Sequence, residues 1–147
     1  MSASDTFENE LLQLIYNNVA IASIGDASGL QPSAAAGSLY VSLHIADPGE
    51  GGNQGTNEAD YAGYARVAVA RTTGGWTVVG NAVSNAAEVK WPVSTGAGSN
   101  ITHFGVGTDA TGAGKLLFHN ALTATVLVAG ANVEPTSNAG QITNTVD

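Results

Sequence analysis

Turn-forming residues divide most of this chain into short segments, and their spacing limits the folds that it can adopt. Beyond residue 38, clusters of Gly, Pro, Asn and Ser recur at intervals of roughly 8–12 residues, which is typical of small all-β domains. The segments between these clusters are rich in Val and Thr, which favour strands. We therefore expect a mainly β chain with about eight short strands, arranged as an antiparallel, jelly-roll-like β-sandwich or a small barrel.

The first strand shows the alternating pattern most clearly. In residues 39–45, apolar side chains alternate with polar ones such as Ser42 and His44, which predicts one buried and one exposed face. A second strand is expected at residues 64–72, with Arg66 on its outer face. The residues that we expect in one core between two sheets are Leu39, Val41, Leu43, Ile45, Val67, Val69, Trp76, Phe104, Phe118 and Val126.

The N-terminal segment contains the one helix pattern of the chain, at residues 5–20, with Asp5 or Thr6 as its N-cap. Acidic residues in its first turn favour a helix, because they complement the helix dipole. The apolar stripe that we expect on one face, and our candidate partner-binding site, comprises Phe7, Leu11, Leu14 and Ile15.

Two interpretations of this helix are open. Residues 23–37 are rich in Gly, Ala and Ser and predict a loop or an extended connector. The helix could therefore pack on the rest of its own domain, or residues 1–37 could form a helix-and-connector arm that docks on a neighbouring subunit. In both cases we expect residues 1–147 to form a single β-sandwich domain, since the length fits one core.

The charge balance and the length of the apolar runs exclude two classes of partner, nucleic acids and membranes. Twelve Asp and Glu face four Lys and Arg, so the net charge is −8, and sustained nucleic-acid binding needs the opposite sign. No apolar run approaches the roughly 20 residues of a membrane span, so we expect no membrane partner. Only 11 % of the residues are charged, against about 25 % in average soluble domains, and such a surface suits packing against other copies or a partner.

Catalytic, metal and cofactor patterns are weak. The chain has no cysteine, and its three histidines, His44, His103 and His119, are widely spaced without an H-x-H pair. No G-x-S-x-G elbow accompanies them. The loop at residues 47–60 is rich in oxygen ligands and could bind calcium, but it lacks the EF-hand spacing, and a solvated turn is the alternative. We therefore expect no catalytic residues, no metal site and no cofactor.

Several motifs together resemble a family of small bacteriophage virion structural proteins. The motifs are L-x-V-x-L-H-x-A-D-P-G at residues 39–49, Y-A-R-V-A-V at 64–69, T-H-F-G-V at 102–106, G-x-G-x-L-L-F at 112–118 and E-N-x-L-L at 8–12. The resemblance covers about residues 7–128. Such proteins are called tail-fibre-like, minor structural, or head decoration (cement) proteins.

The resemblance implies a non-enzymatic virion protein. We expect a capsid decoration protein on the phage capsid surface, which binds the major capsid protein and itself, as a trimer or dimer, and stabilises the head lattice. The alternative is a tail or tail-fibre-associated protein involved in attachment. An enzyme such as a glycan hydrolase is the third class, and the weak catalytic patterns count against it.

Overall fold

The computed structural model describes residues 2–147, in which one helix precedes nine strands. The elements are α1 (Asp5–Asn17), β1 (Ser38–His44), β2 (Val67–Ala70), β3 (Trp76–Val79), β4 (Ala82–Asn85), β5 (Val89–Lys90), β6 (Asn100–Gly107), β7 (Leu116–Leu127), β8 (Thr136–Ser137) and β9 (Thr143–Thr145). This confirms the mainly β fold with one N-terminal helix.

All strand pairs between these elements are antiparallel, as predicted. The largest sheet has four strands in the order β2-β1-β6-β7, a second sheet has the order β3-β4-β9, and β5 pairs with β8. The strands thus divide into sheets of four, three and two, and β1 and β6 form the centre of the largest sheet.

The hydrophobic core is built around one face of the four-stranded sheet. Five of the ten predicted core residues are buried, namely Leu39, Val41, Leu43, Trp76 and Phe104. Four more are partly buried and pack against the core, namely Val67, Val69, Phe118 and Val126. Ile45 is only half-buried, because β1 ends at His44 and the amide of Ile45 donates to the carbonyl of Asn57 in the following loop.

The helix packs on its own chain through a face centred on Leu12 and Tyr16, both of which are fully buried. The ring of Tyr16 meets that of Trp76 edge-on, with 4.8 Å between centroids, an arrangement that favours aromatic pairs. Its hydroxyl accepts a hydrogen bond from Nδ2 of Asn144 in β9 at 3.0 Å. The helix is therefore part of the core of its own chain, as the first of the two interpretations expects. No helix in residues 2–147 is long and apolar enough to cross a membrane.

Strand β1 is buried on both faces over residues 41–44, so most of the face that we expected to be exposed is covered. Ser42 and His44 are fully buried, and so is Gln54 from the loop at residues 47–60. Nε2 of Gln54 donates to the carbonyl of Tyr40 at 3.1 Å, and its Oε1 accepts from the amide of Asp109 at 2.9 Å. The loop therefore covers the second face of the sheet through Gln54, while half of its residues remain exposed.

Two glycines in β6 leave space for the side chains that lie on this face of the sheet. A Cβ atom at Gly107 would overlap the side chain of Gln54, and one at Gly105 would lie 2.7 Å from the side chains of Ser42 and His44. These contacts are shorter than atoms of side chains can tolerate. Gly107 is thus required by the packing of Gln54 from the loop, and Gly105 by the side chains of Ser42 and His44 in β1.

We expect Leu43→Ala to lower the free energy of unfolding by about 2–5 kcal/mol, because it leaves a cavity in a packed core. Leu127→Ala is the matched control, since Leu127 is 64 % exposed, and it should change stability by less than about 0.5 kcal/mol. Urea unfolding of both variants measures the difference. Equal midpoints for the two variants would contradict the assignment of the core face.

Candidate partner-binding surface

Helix α1 carries more apolar surface than the core covers. Leu12 and Tyr16 lie in the core, and Ile15 is partly buried against it. Phe7 is 39 % exposed, and Leu11 and Leu14 are half-buried. The predicted stripe therefore divides: Ile15 belongs to the edge of the core, while Phe7, Leu11 and Leu14 form what we call the outer helix face.

The ends of the helix differ slightly from the prediction. Ser4 is the N-cap, one residue before the expected Asp5, and its Oγ accepts from the amide of Phe7, as Ser does at many helix starts. The C-cap is Asn18 in the left-handed region, with φ of 56°, a conformation that Asn tolerates better than most residues. The side chain of Asn18 also exchanges two 2.9 Å hydrogen bonds with the backbone of Ser33, which joins the helix end to the connector.

Arg71 holds the C-terminus of the helix from the turn after β2. Its Nε donates to the carbonyl of Ile15 and its Nη2 to that of Leu14, each at 2.6 Å. Its Nη1 donates to Oγ of Ser33 and to the carbonyl of Ala36. The last carbonyls of a helix carry partial negative charge, so a guanidinium there is favourable. Arg71 therefore fixes the helix and the connector to the sheet.

The connector itself is structured. Ile21 is buried and forms an antiparallel bridge with Leu30, so residues 21–30 fold back as a small loop. Of the two expectations for this segment, the structure therefore shows the loop and not the extended connector. The outer helix face is presented by a fixed helix rather than by a moving arm.

Buried polar groups support the covering loop at residues 47–60. Glu58 binds Arg66 through both carboxylate oxygens, with Nε–Oε1 at 2.6 Å and Nη2–Oε2 at 2.8 Å. Tyr64 donates to Glu58 and accepts from the amide of Leu43, and burial raises the pKa of the Tyr64 hydroxyl. The side chain of Arg66 is 2 % exposed, which corrects the expectation that it points outward.

Asp47 and Asp60 in this loop, like Glu58, have protein partners. Asp60 accepts hydrogen bonds from the amide and hydroxyl of Ser99, and the amide bond lowers the pKa of its carboxyl. Asp47 accepts from the amide of Gly49, which lowers its pKa. In the part of the chain that the structure describes, no group of three or more His, Asp or Glu residues could hold a metal ion.

The structure brings two of the three histidines into register. His44 and His103 are opposite each other in β1 and β6, while His119 in β7 has its Nδ1 3.1 Å from Oδ1 of Asp47. His44 is the buried one, with Nδ1 2.8 Å from the carbonyl oxygen of Thr56. A carbonyl only accepts, so Nδ1 carries the proton and Nε2 accepts from the hydroxyl of Ser42 at 2.8 Å.

This Ser42–His44 pair has the contacts of a nucleophile and its base, with a backbone carbonyl as the orienting group. Both side chains are fully buried, so a substrate has no approach to Oγ of Ser42. The pair instead satisfies the polar groups beneath the covering loop. Desolvation lowers the pKa of His44, which keeps the ring neutral as the hydrogen-bond pattern requires.

Comparison with protein families identifies a match over nearly the whole chain. The family described as the Podophage GP4 fiber I protein gp80 matches residues 2–145, a range that contains α1 and all nine strands. Comparison with curated proteins gives no match.

We expect Arg71→Ala to lower the free energy of unfolding by about 1.5–3 kcal/mol, the range for hydrogen bonds to charged groups. Arg71→Lys should recover part of this loss, because it restores the charge but not the planar fork. Urea unfolding measures both. Lys90→Ala is the control, since Lys90 makes an exposed ion pair with Glu88. This variant should lower the free energy of unfolding by less than about 0.5 kcal/mol. A loss no larger for Arg71→Ala than for this control would refute the anchoring role.

Acid should destabilise the protein through His44. The pKa of its ring is lowered on folding from about 6.5 in an unfolded chain, so the unfolded state binds the extra proton first. Stability is therefore complete above about pH 6.5 and is lost as the pH falls toward the folded-state pKa. Unfolding measured between about pH 7 and pH 5 should show a smaller loss for His44→Gln than for the unaltered protein. Parallel pH profiles would show that His44 does not contribute.

Proposed function

The chain belongs to the podophage GP4 fiber I protein gp80 family, and from this premise we propose that it is a non-enzymatic component of a phage fibre that works by binding other virion proteins. The family match, which extends over nearly the whole chain, carries this proposal. The buried Ser42–His44 pair supports it, because the arrangement nearest to a catalytic one is closed to substrates.

The outer helix face is the contact surface that we propose for a virion partner. Phe7, Leu11 and Leu14 lie on a helix that is capped at both ends and held by Arg71. A preformed surface loses little conformational entropy on binding, so more of the interaction energy is retained as affinity. Full burial of each apolar side chain is worth about 1.5–3 kcal/mol before ordering costs.

A decoration protein on the capsid surface is the second candidate, with the major capsid protein as its partner. The observation that favours it is the length of the helix. The single helix of residues 2–147 has 13 residues, whereas a fibre shaft built on coiled coils needs sustained heptads. Copy number in purified particles separates the two candidates. Hundreds of copies would favour decoration of the head, and a handful to dozens would favour a fibre.

Binding through the outer helix face can be tested with the variant Phe7→Gln/Leu11→Gln. The measurement is its attachment to virions that lack the protein, compared with that of the unaltered chain. Loss of two apolar contacts should weaken attachment by at least about tenfold, since each tenfold corresponds to about 1.4 kcal/mol. Val79→Gln is the control, because Val79 is 71 % exposed on the β3–β4 hairpin. Attachment of both variants at the level of the unaltered chain would reject this surface.

Virions that carry the protein show whether it lies on fibres or on the head. Gold-labelled antibody against the protein should mark fibres on negatively stained particles, and uniform labelling of the head would instead support capsid decoration. Labelling of neither structure would reject both candidates.

A further inference from the structure

The longest strand of the fold lies at the edge of the largest sheet. β7 pairs with β6 on one side and is the last strand in the order β2-β1-β6-β7. The opposite edge, β2, is short and faces the segment that holds Glu88 and Lys90 across a groove. An exposed strand edge presents unpaired N–H and C=O groups and is a template for pairing with another chain, which charged residues commonly prevent.

The hydrogen bonds of the neighbouring strands show which groups of β7 face outward. The amide and carbonyl of Leu43 bond to Tyr64 and Ala59, so they point away from β6. Because backbone groups alternate along strands, those of Ser42 and His44 face β6. The same alternation, carried through the pairs Ser42↔Gly105 and Gly105↔His119, directs the backbone groups of His119 and Ala121 outward.

A hydrogen bond to the side chain of Asn120 is independent evidence that the amide of Ala121 faces outward. The amide of Ala121 donates to Oδ1 of Asn120 at 2.8 Å, a bond to its own neighbour that a strand amide makes when no other strand is beside it. The regular edge extends over residues 118–121. Its ends are irregular, since pairing shifts register near Gly107 and again between Ile101 and His103. Only a short stretch with one defined register is thus available.

The absence of charged residues along β7 favours a second copy of this chain as the partner. The sequence from residue 110 to residue 133 contains no Asp or Glu, and β7 contains no Lys or Arg, although the chain carries a net charge of −8. The acidic group at this edge is Asp47, which lies against His119. An uncharged strand offers no attraction to a basic partner, but two copies can bring it together without like-charge repulsion.

We propose that β7 pairs antiparallel with β7 of a second copy of this chain across a two-fold axis at Asn120. In this register His119 of each copy is opposite Ala121 of the other, so the outward N–H and C=O groups of both residues are paired in both copies. On pairing, the amide of Ala121 exchanges its hydrogen bond to Oδ1 of Asn120 for one to the carbonyl of His119 in the second copy. The two sheets then join into one eight-stranded sheet, and this surface is separate from the outer helix face.

Sedimentation of the purified chain over a range of concentrations tests the pairing. We expect a concentration-dependent dimer, and Ala121→Lys should raise its dissociation constant by at least about tenfold, because it places like charges close together across the axis. Ala68→Lys is the matched control, since Ala68 is an exposed alanine on the opposite edge strand, and it should leave the dimer unchanged. A monomer at every concentration, or equal effects of the two lysines, would overturn the proposal.

A second variant tests the register. Residues opposite each other without mutual hydrogen bonds have Cα atoms about 4.5 Å apart in antiparallel strands, which a disulfide can span. Because the chain has no cysteine, Asn120→Cys should form a covalent dimer on mild oxidation and Ala68→Cys should not. Equal cross-linking of the two variants would reject the register. Both results are obtained on the free protein, so they stand or fall independently of attachment to the virion.

Discussion

The fold depends on covering both faces of the central strands β1 and β6. The hydrophobic core and helix α1 cover one face, while the other is covered by the loop at residues 47–60, in which Gln54 is fully buried. A buried amide is tolerated only when its donor and acceptor are satisfied, and Gln54 meets this condition through Tyr40 and Asp109. Because a Cβ atom at Gly107 or Gly114 would overlap the side chain of Gln54, the loop and the sheet specify each other.

The chain has only four Lys and Arg residues, and the two arginines are used to hold the fold together. Both arginines act inside the fold: Arg66 binds Glu58 beneath the loop, and Arg71 binds the carbonyls at the end of the helix. A guanidinium suits these positions because its planar fork can satisfy several acceptors at once. The arginines thus hold loop and helix in place, and the two lysines, Lys90 and Lys115, are left on the exterior.

Sequence patterns predicted the parts of this fold that depend on local periodicity. Alternation in residues 39–45 located β1 and its core face correctly. It could not show that Ser42 and His44 are buried, since their cover comes from a loop whose composition indicates solvation. The helix was located for the same local reason, but its apolar arc is broad, and the choice of Leu12 and Tyr16 for the core depends on Trp76 and Asn144. Asn144 lies far along the chain, and no local pattern reveals such a contact.

The two proposed surfaces differ in symmetry, and together they would allow assembly beyond a pair of copies. A contact across a two-fold axis uses the same patch of each copy, so it closes after two copies and cannot by itself build an extended structure. The proposed β7 contact is of this kind, and the bulges beside residues 118–121 keep it from extending along the edge. Further assembly therefore requires a second patch with a different partner, and the outer helix face is an apolar surface already held in a fixed orientation. Because each pair would present two such faces, even a weak helix contact would be strengthened when both engage one virion structure.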